Sequence, residues 1–375
     1  MKILPRKSFN RGGINMSQNK KKRTSIYPTA SKKKVSRAAE KIRNSLTNGS
    51  PIPLDEEQIV ENWRASHVHI LNSWQATLRN RIGGKDIVFA QRLKRRNTIY
   101  DKLKRQPKMV FTRMHDIAGC RLIFKNEEDL HSYRNELHNA KKLSHKLKKE
   151  QSKDYIVKPK ESGYRGIHDI YEYNSRKGKD RSPHWNGLLV EIQYRTACQH
   201  AWATAVEVAD NIMKGRAKFS EGDEKLQEFF RLTSEIIARA HENKKSCKSY
   251  LTNEELLDQF FSIEKETSLL RQLENLKTIQ KEFSGVNVII QLKSDPQKPT
   301  SEIFVYESLS EANIEYFKKE KEFPDDDIVL VRGGDSKVNK TIQDAFRNYF
   351  ADTTDFVDYI KEGLKKLGRS GKWSA

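Results

Sequence analysis

A chain of 375 residues exceeds the usual size of a single domain, so two domains and a tail are expected. The formal net charge of +21 and a pI near 9.6 favour polyanionic partners such as nucleotides, RNA or acidic surfaces. Cys120, Cys198 and Cys247 are too few and too scattered for a disulfide framework or a zinc pattern, no apolar run reaches the roughly 20 residues that span a bilayer, and the basic start lacks a signal peptide's apolar stretch, so a cytoplasmic protein without membrane contact is expected.

In chain order, residues 1–50 stand apart. KKKR at Lys20 to Arg23 and KKK at Lys32 to Lys34 lie among Ser, Asn, Thr and Gly, and Glu40 is the only acid before Asp55. Such a stretch reads as a solvated, disordered basic arm, with nucleic-acid contact as its functional alternative. Met16 is a second candidate start. From Asp55 the acids of DEEQ and the spacing of Ile59, Trp63, Ile70, Leu71 and Trp74 predict a helix that ends at Gly83-Gly84.

Ile87 to Arg105 reads as a strand running into a basic helix, AGCRLIF as a strand and EEDLHSYRNELHNAKKL as a helix. The lysine-rich stretch Lys141 to Lys153 reads as a solvated helix face. DYIVKP, GIHDIYEY and GLLVEIQYRT are β-like, and helices follow over Ala197 to about Lys214 and over Glu224 to Asn243. This alternation predicts an α/β (α+β) fold with a mixed sheet. A long helix over Asn253 to Phe283 looks like a connector. Beyond it, VNVIIQL, SEIFVYE and DDIVLVRG are strands, with LSEANIEYFKKEKE between them as a helix and VNKTIQDAFRNYF and TTDFVDYIKEGLKKL as two more. The expected organisation is a basic arm (1–50), a first domain (51–250), a connecting helix (251–285) and a smaller α/β accessory domain (286–375). The turn Arg332-Gly333-Gly334-Asp335 is a weak phosphate-binding candidate.

Three blocks carry the chemistry: RMHDIAGCRLIF (Arg113 to Phe124), DYIVKPKESGYRGIH (Asp154 to His168) and VEIQYRT (Val190 to Thr196). They gather lysines, arginines, a tyrosine, a histidine and two carboxylates, Asp116 and Glu191. Two acids converging among many bases suit a metal ion and a polyphosphate. A Walker A loop is absent, because Gly83-Gly84-Lys85 and Gly178-Lys179 lack the earlier glycine. Side chains must therefore hold the phosphates. Taken singly, each residue has a plainer reading: Asp116 as a cap, Tyr164 as packing at a strand edge, His168 as a satisfied core histidine. Glu191 lies opposite Val190 and Ile192, which means water on an open sheet and a paired acid on a covered one.

RLKRRNTIYDK, HDIAGCRLIF, DYIVKPKESGYRGIH, VEIQYRT and HAWA, in this order and spacing over about residues 80 to 215, resemble the RelA/SpoT synthetase domain. That family uses ATP to pyrophosphorylate a ribose 3′-hydroxyl. The resemblance implies a mixed-sheet, nucleotidyltransferase-like domain flanked by helices. It implies that Asp116 and Glu191 hold Mg²⁺, with Glu191 also accepting the proton of the 3′-hydroxyl. Arg92, Lys94, Lys102 and Arg121 would grip the triphosphate of ATP. Tyr164 would stack on the acceptor base, with His168 near the transferring group and Lys158, Lys160, Arg165, Gln193 and Arg195 lining the acceptor site. No hydrolase domain of the bifunctional members is expected ahead of residue 80, and YRGIH departs from the commoner forms of the tyrosine block.

Three readings follow. The leading one is a (p)ppGpp synthetase acting on GDP or GTP. The second is a toxin that pyrophosphorylates the 3′-CCA end of tRNA, recruited by the basic arm and cleft, with residues 286–375 as fused antitoxin or sensor for a protein trigger. The third is an inactive RNA-binding protein. The C-terminal unit is expected to regulate the synthetase by covering its acceptor cleft, with Asp325-Asp326-Asp327 facing the bases.

Overall fold

The computed structural model describes residues 26–141, 143–175, 183–213, 224–275, 287–292, 301–306, 308–323, 327–331 and 354–368. The first half of the expected arm, the turn Arg332–Asp335, the helix expected over VNKTIQDAFRNYF, and Asp325 and Asp326 lie outside the described residues.

The second half of the expected arm is a helix, α1 (Lys32–Asn48), opened by Ser31, whose hydroxyl accepts from Lys34 N, and closed at Gly49 with φ 67°. This corrects the unfolded reading of residues 32–48. Val35, Ala38, Ala39 and Ile42 recur at i, i+3, i+4 and i+7 and are buried against α2 (Leu54–Ile82). Two of the four are alanines, so the stripe is faint beside the lysines.

The main sheet contains β1 (Ile87–Leu93), β2 (Ala118–Phe124), β3 (Lys146–Leu147), β4 (Lys153–Asp154), β5 (Ile167–Glu172) and β6 (Leu189–Thr196). Its order is β1-β2-β6-β5-β3 with β4 also on β5, and the β2–β6 pair is parallel while the others are antiparallel. α3 (Arg96–Arg105) follows β1 and α4 (Glu127–His138) follows β2. Strand alternation sends Phe89, Cys120, Leu122, Ile192 and Tyr194 to one face, where they join Trp63, Ile70 and Trp74 of α2 in one core.

Two expectations around this sheet fail locally. The helix expected to reach Leu143 ends at His138, and the lysine stretch after it pairs with β5 at the sheet edge, where Leu147 packs on the core. Edge lysines discourage further strand addition, so the same composition suits an edge strand. DYIVKP is a strand only through Asp154: the Asp154 Oδ1 accepts from Ile156 N and Val157 N, each at 3.0 Å, which turns the chain.

A second core unites α5 (Ala197–Met213), α6 (Glu224–Glu242), α7 (Asn253–Thr267) and α8 (Leu269–Asn275). The expected long connector is broken at Ser268, which has φ 52°, and Leu257, Phe260, Leu269 and Leu273 are buried in the bundle. A small antiparallel sheet follows, β7 (Asn287–Leu292), β8 (Ser301–Tyr306) and β9 (Asp327–Val331) in order β8-β7-β9, with α9 (Leu309–Glu322) packed on it. The last described helix, α10 (Thr354–Lys366), returns to the bundle and packs against α6, α5 and α8. Gly363 makes this approach possible, since a Cβ there would meet Ile236 Cγ2 at 2.7 Å. The unit expected as one C-terminal domain is thus a small sheet inserted between two helices of the bundle. Among the described residues, one contact between this sheet and the main domain is Arg95 Nη2 donating to the Ile328 carbonyl at 3.4 Å, next in sequence to Lys94.

Candidate active site

The face of the main sheet opposite the first core carries the site, and register alone selects its residues. Gly119 pairs with Glu191 and with Arg92, Arg121 pairs with Gln193, and Gln193 pairs with His168. Opposed residues share a face. Arg92, Arg121, His168, Glu191, Gln193 and Arg195 therefore converge from four neighbouring strands. Asp116 joins them from a single 3₁₀ turn, His115–Ile117, just before β2, with φ −94° and ψ 15°.

Asp116 is bridged by two lysines. Lys94 Nζ lies 3.1 Å from its Oδ2, and Lys102 Nζ lies 3.0 and 2.9 Å from its two oxygens. Burial would raise the pKa of this acid, but the charges of Lys94 and Lys102 outweigh burial and hold it below the ordinary value, while the like charge of Glu191 opposes them. Lys94 is buried, and its own pKa is lowered by that burial.

Glu191 is a buried acid on a covered face, and it is paired. His168 Nδ1 lies 2.9 Å from its Oε1, and Gln193 Nε2 donates to its Oε2 at 2.6 Å. Burial again opposes ionisation, and the bond and charge of His168 together with Gln193 reverse it, leaving Glu191 far below the usual carboxylate range. His168 Nε2 lies 2.6 Å from the Tyr164 hydroxyl, which accepts from Arg195 Nη2 at 3.1 Å and Nε at 3.3 Å. Burial would raise the Tyr164 pKa, yet Arg195 and His168 pull it down to about 8. His168 itself is lowered by burial but raised more by Tyr164 and Glu191, and ends above its ordinary value.

Arg121 contributes a cation offset only in part, by the charge of Glu207. Its buried Nε has no hydrogen-bond partner among the described residues, and burial, with Arg195 and Arg92 nearby, lowers its pKa to about 10. Arg92 is exposed at the rim, and Lys158 is exposed on the turn after Asp154. Lys160 Nζ lies over the rings of Tyr155 and Tyr164 at 4.6 and 5.0 Å. Arg165 points away: it is buried against Glu242 at the end of α6, and so it does not line the cleft with Tyr164. Glycines on both sides let the chain turn there, Gly163 at φ 90° and Gly166 at φ 146°, sending adjacent side chains in opposite directions.

Sequence reasoning passed over Tyr155, which faces Tyr164 and His168; beside Asp116, the pKa of His115 is lowered by burial and raised in part by the charges of Glu191 and Asp116. Tyr155 is the second residue of a block already singled out; its position became visible only with the turn at Asp154. As a donor set, Asp116 and Glu191 are two hard carboxylates, both held ionised and mutually coupled. That set fits Mg²⁺, which uses one or two carboxylates and keeps waters and phosphate oxygens for the rest of its shell. Among the described residues no group of three or more His, Cys, Asp and Glu side chains encloses a metal.

Residues 91–213 match the region found in RelA/SpoT proteins. GTP pyrophosphokinase YjbM of Bacillus subtilis (strain 168) is 32% identical over 111 residues, which is 28% of this chain and 48% of that protein, so the match spans about half of the relative's length. Among solved structures, small alarmone synthetase 1 of Bacillus subtilis bound to its product pppGpp is 24% identical with a TM-score of 0.40, over 51% of this chain and 95% of that one. A GTP pyrophosphokinase family protein from Streptococcus pneumoniae is 22% identical with a TM-score of 0.40, over 56% and 98%. Among the described residues no helix is long and apolar enough to cross a membrane. The similarity to RelA/SpoT proteins is thus carried by residues 91–213, the stretch that holds most of the site.

Proposed function

We propose that the protein transfers the β,γ-pyrophosphate of ATP to the ribose 3′-hydroxyl of GDP or GTP. One observation carries this reading: a single covered sheet face holds two ionised carboxylates, Asp116 and Glu191, within an excess of cations. Lys94 and Lys102 stand at Asp116, Arg92 beside Gly119 and Arg121 beside Gln193, and these four cations serve the triphosphate. Lys94 and Lys102 already carry their ammoniums at a carboxylate, so the same positions present them to phosphate oxygens. When bound by Asp116 and Glu191, Mg²⁺ supplies neutralisation of phosphate charge.

In the transfer, the 3′-oxygen bonds to the β-phosphorus, the bond from that phosphorus to the α–β bridging oxygen breaks, and AMP leaves with the electron pair. The hydroxyl proton goes to an oxygen of Glu191. A carboxylate base suits a loose transition state in which phosphorus–oxygen cleavage runs ahead of proton removal. Arginines and lysines then do most of the work by positioning and charge stabilisation.

A second acceptor, the 3′ end of tRNA, is favoured by one feature. Lys104, Arg105, Lys108 and Arg113 are exposed, make no ion pair among the described residues, and have no acid between Asp101 and Asp116 to offset them. Purified protein with ATP labelled in its γ-phosphate, offered GDP, GTP or bulk tRNA, decides the matter. Label in GDP or GTP supports the proposal, label in tRNA supports the second reading, and RNA binding without label in any acceptor supports an inactive binder.

A further inference from the structure

The two lysines that bridge Asp116 are secured unequally. Lys94 follows β1, and its own N–H donates to the Ile117 carbonyl at 2.8 Å, so the backbone carrying this lysine is tied to the residue after Asp116. Lys102 sits in the last turn of α3 and meets Asp116 across 14 residues of chain. Among the described residues no backbone bond joins it to the Asp116 turn. Between the two lie Lys104, Arg105, Gln106, Pro107 and Lys108, all exposed. A helix end leaves its last carbonyls without helical partners, and a connection this exposed has little packing of its own to hold it.

The hold comes from outside the sheet. α1 lies against α3 and against the 3₁₀ turn Phe111–Arg113 that leads to Asp116. Arg43 of α1 donates through Nε to the Leu103 carbonyl at 3.1 Å and through Nη2 to the Met109 carbonyl. One planar guanidinium thus spans both ends of the exposed connection, and it satisfies a carbonyl that the end of α3 leaves open. Ser36 lies seven residues before Arg43, two helical turns away on the same face, and its Oγ shares a hydrogen bond of 3.0 Å with Thr112 Oγ1. α1 therefore grips the chain at residues 103, 109 and 112, all between Lys102 and Asp116. Among the described residues Arg43 pairs with no carboxylate; its fork is given to this backbone.

Arg64 of α2 makes the corresponding bond for the other lysine. Its Nε donates to the Lys94 carbonyl at 2.7 Å while its Nη1 pairs with Glu61 at 2.7 Å. Here the arginine duplicates a hold that the bond from Lys94 N to Ile117 already supplies. We propose that Arg43 is a positioning residue for pyrophosphate transfer, fixing the chain between Lys102 and Asp116 so that the Lys102 ammonium is held where the phosphates of ATP bind, and that Arg64 contributes far less. This rests on the pyrophosphate-transfer reading, and it extends the working site to a helix outside residues 91–213.

Kinetics at saturating GTP, varying ATP, test it. Arg43→Met keeps the apolar stem and loses the fork, and is expected to raise the KM for ATP about tenfold with the KM for GTP nearly unchanged. Arg43→Lys, whose ammonium reaches one carbonyl at a time, should fall between it and the wild type. Arg64→Met should stay within about twofold. A residue that only supports the fold would add its effect to that of any other change, so the decisive measurement is a cycle with Lys102. In a Lys102→Met background, Arg43→Met should raise the KM for ATP no further. Equal increments with and without Lys102, or a larger effect from Arg64→Met than from Arg43→Met, overturn the proposal. If Arg43→Met does not fold, Arg43→Lys carries the same cycle; if Lys102→Met is inactive, the Kd for ATP from calorimetry replaces KM. If the wild type labels tRNA instead, the cycle is measured with tRNA as acceptor. If it labels none of GDP, GTP and tRNA, the functional reading has failed, and amide hydrogen exchange still decides the clamp. Faster exchange in Arg43→Met over residues 103–116 than over β5 and β6, each relative to the wild type, supports it, and an even change or none overturns it.

Discussion

Asp169 and Glu191 are buried acids on neighbouring strands, and they sit on opposite faces of one sheet. Asp169 is closed on itself. Arg134 grips both its oxygens at 2.9 and 2.8 Å and His138 lies at 2.6 Å, so that burial, which would raise its pKa, is outweighed by these two partners. Glu191 is bonded instead to a histidine and an amide, while around it Lys94, Lys102, Arg121 and Arg195 exceed the negative charge available. A buried charge that serves only the fold is matched within the fold. One that serves a ligand is left in an unbalanced field, and under the proposed function the excess cations on this face meet the phosphates.

Removing an acid from each face should therefore have opposite signatures. Glu191→Gln and Asp116→Asn are expected to cut pyrophosphate transfer by about a thousandfold or more while the urea midpoint holds, since volume is kept and cations on that face are already in excess. Activity within a few-fold of wild type at saturating Mg²⁺ would remove the site assignment. Asp169→Asn should do the reverse, lowering stability by about 3 kcal/mol through the stranded Arg134, with kcat within a few-fold in whatever remains folded. Arg134 is 21% exposed at its side chain and can reach water, which keeps the cost at the lower end.

The same contrast explains what could be read from the chain. Glu191 was legible because alternation in VEIQYRT makes it the odd residue between Val190 and Ile192, and the α2 helix was legible because large residues mark its stripe. α1 was missed because half of its buried stripe is alanine. Arg165 was misplaced because it is adjacent to Tyr164 in sequence, whereas two glycines at positive φ turn it toward Glu242, a partner 77 positions later that no local pattern announces. α10 was assigned to the accessory unit for the same reason: its amphipathic spacing was plain, but Phe356 meeting Phe229 and Phe230 is a long-range fact. Truncation after about residue 250 would strip α7, α8 and α10 from the second core, so it tests folding and not regulation.

A third buried titratable group belongs to neither face and gives a baseline for acid stability. His67 is 1% exposed in α2, bonded through Nδ1 to the Trp63 carbonyl, and burial lowers its pKa to about 4. The unfolded histidine binds its proton near pH 6.5, so stability should be intact above that pH and fall as pH drops toward 4, where the loss reaches about 2–3 kcal/mol. His67→Gln should flatten this part of the pH–stability curve. An unchanged slope between pH 6.5 and 4 in that variant would assign the acid sensitivity to other groups.

The smallest effect should be the most telling, because it asks one residue type the same question on both faces. The Nε of Arg121 is buried and unpartnered among the described residues, and burial with the like charges of Arg195 and Arg92 outweighs Glu207 and lowers its pKa to about 10, the direction of a charge held against the fold. Arg121→Met keeps the length of the side chain and removes the charge. It should raise stability by about 1 kcal/mol, read as a higher urea midpoint, and, under the proposed function, should raise the KM for ATP. Arg134→Met, on the closed face, should lower stability instead, because it leaves Asp169 buried with His138 alone. Equal destabilisation by the two changes would mean that Arg121 is a structural cation like Arg134, and that the excess positive charge on the site face is not held for a ligand.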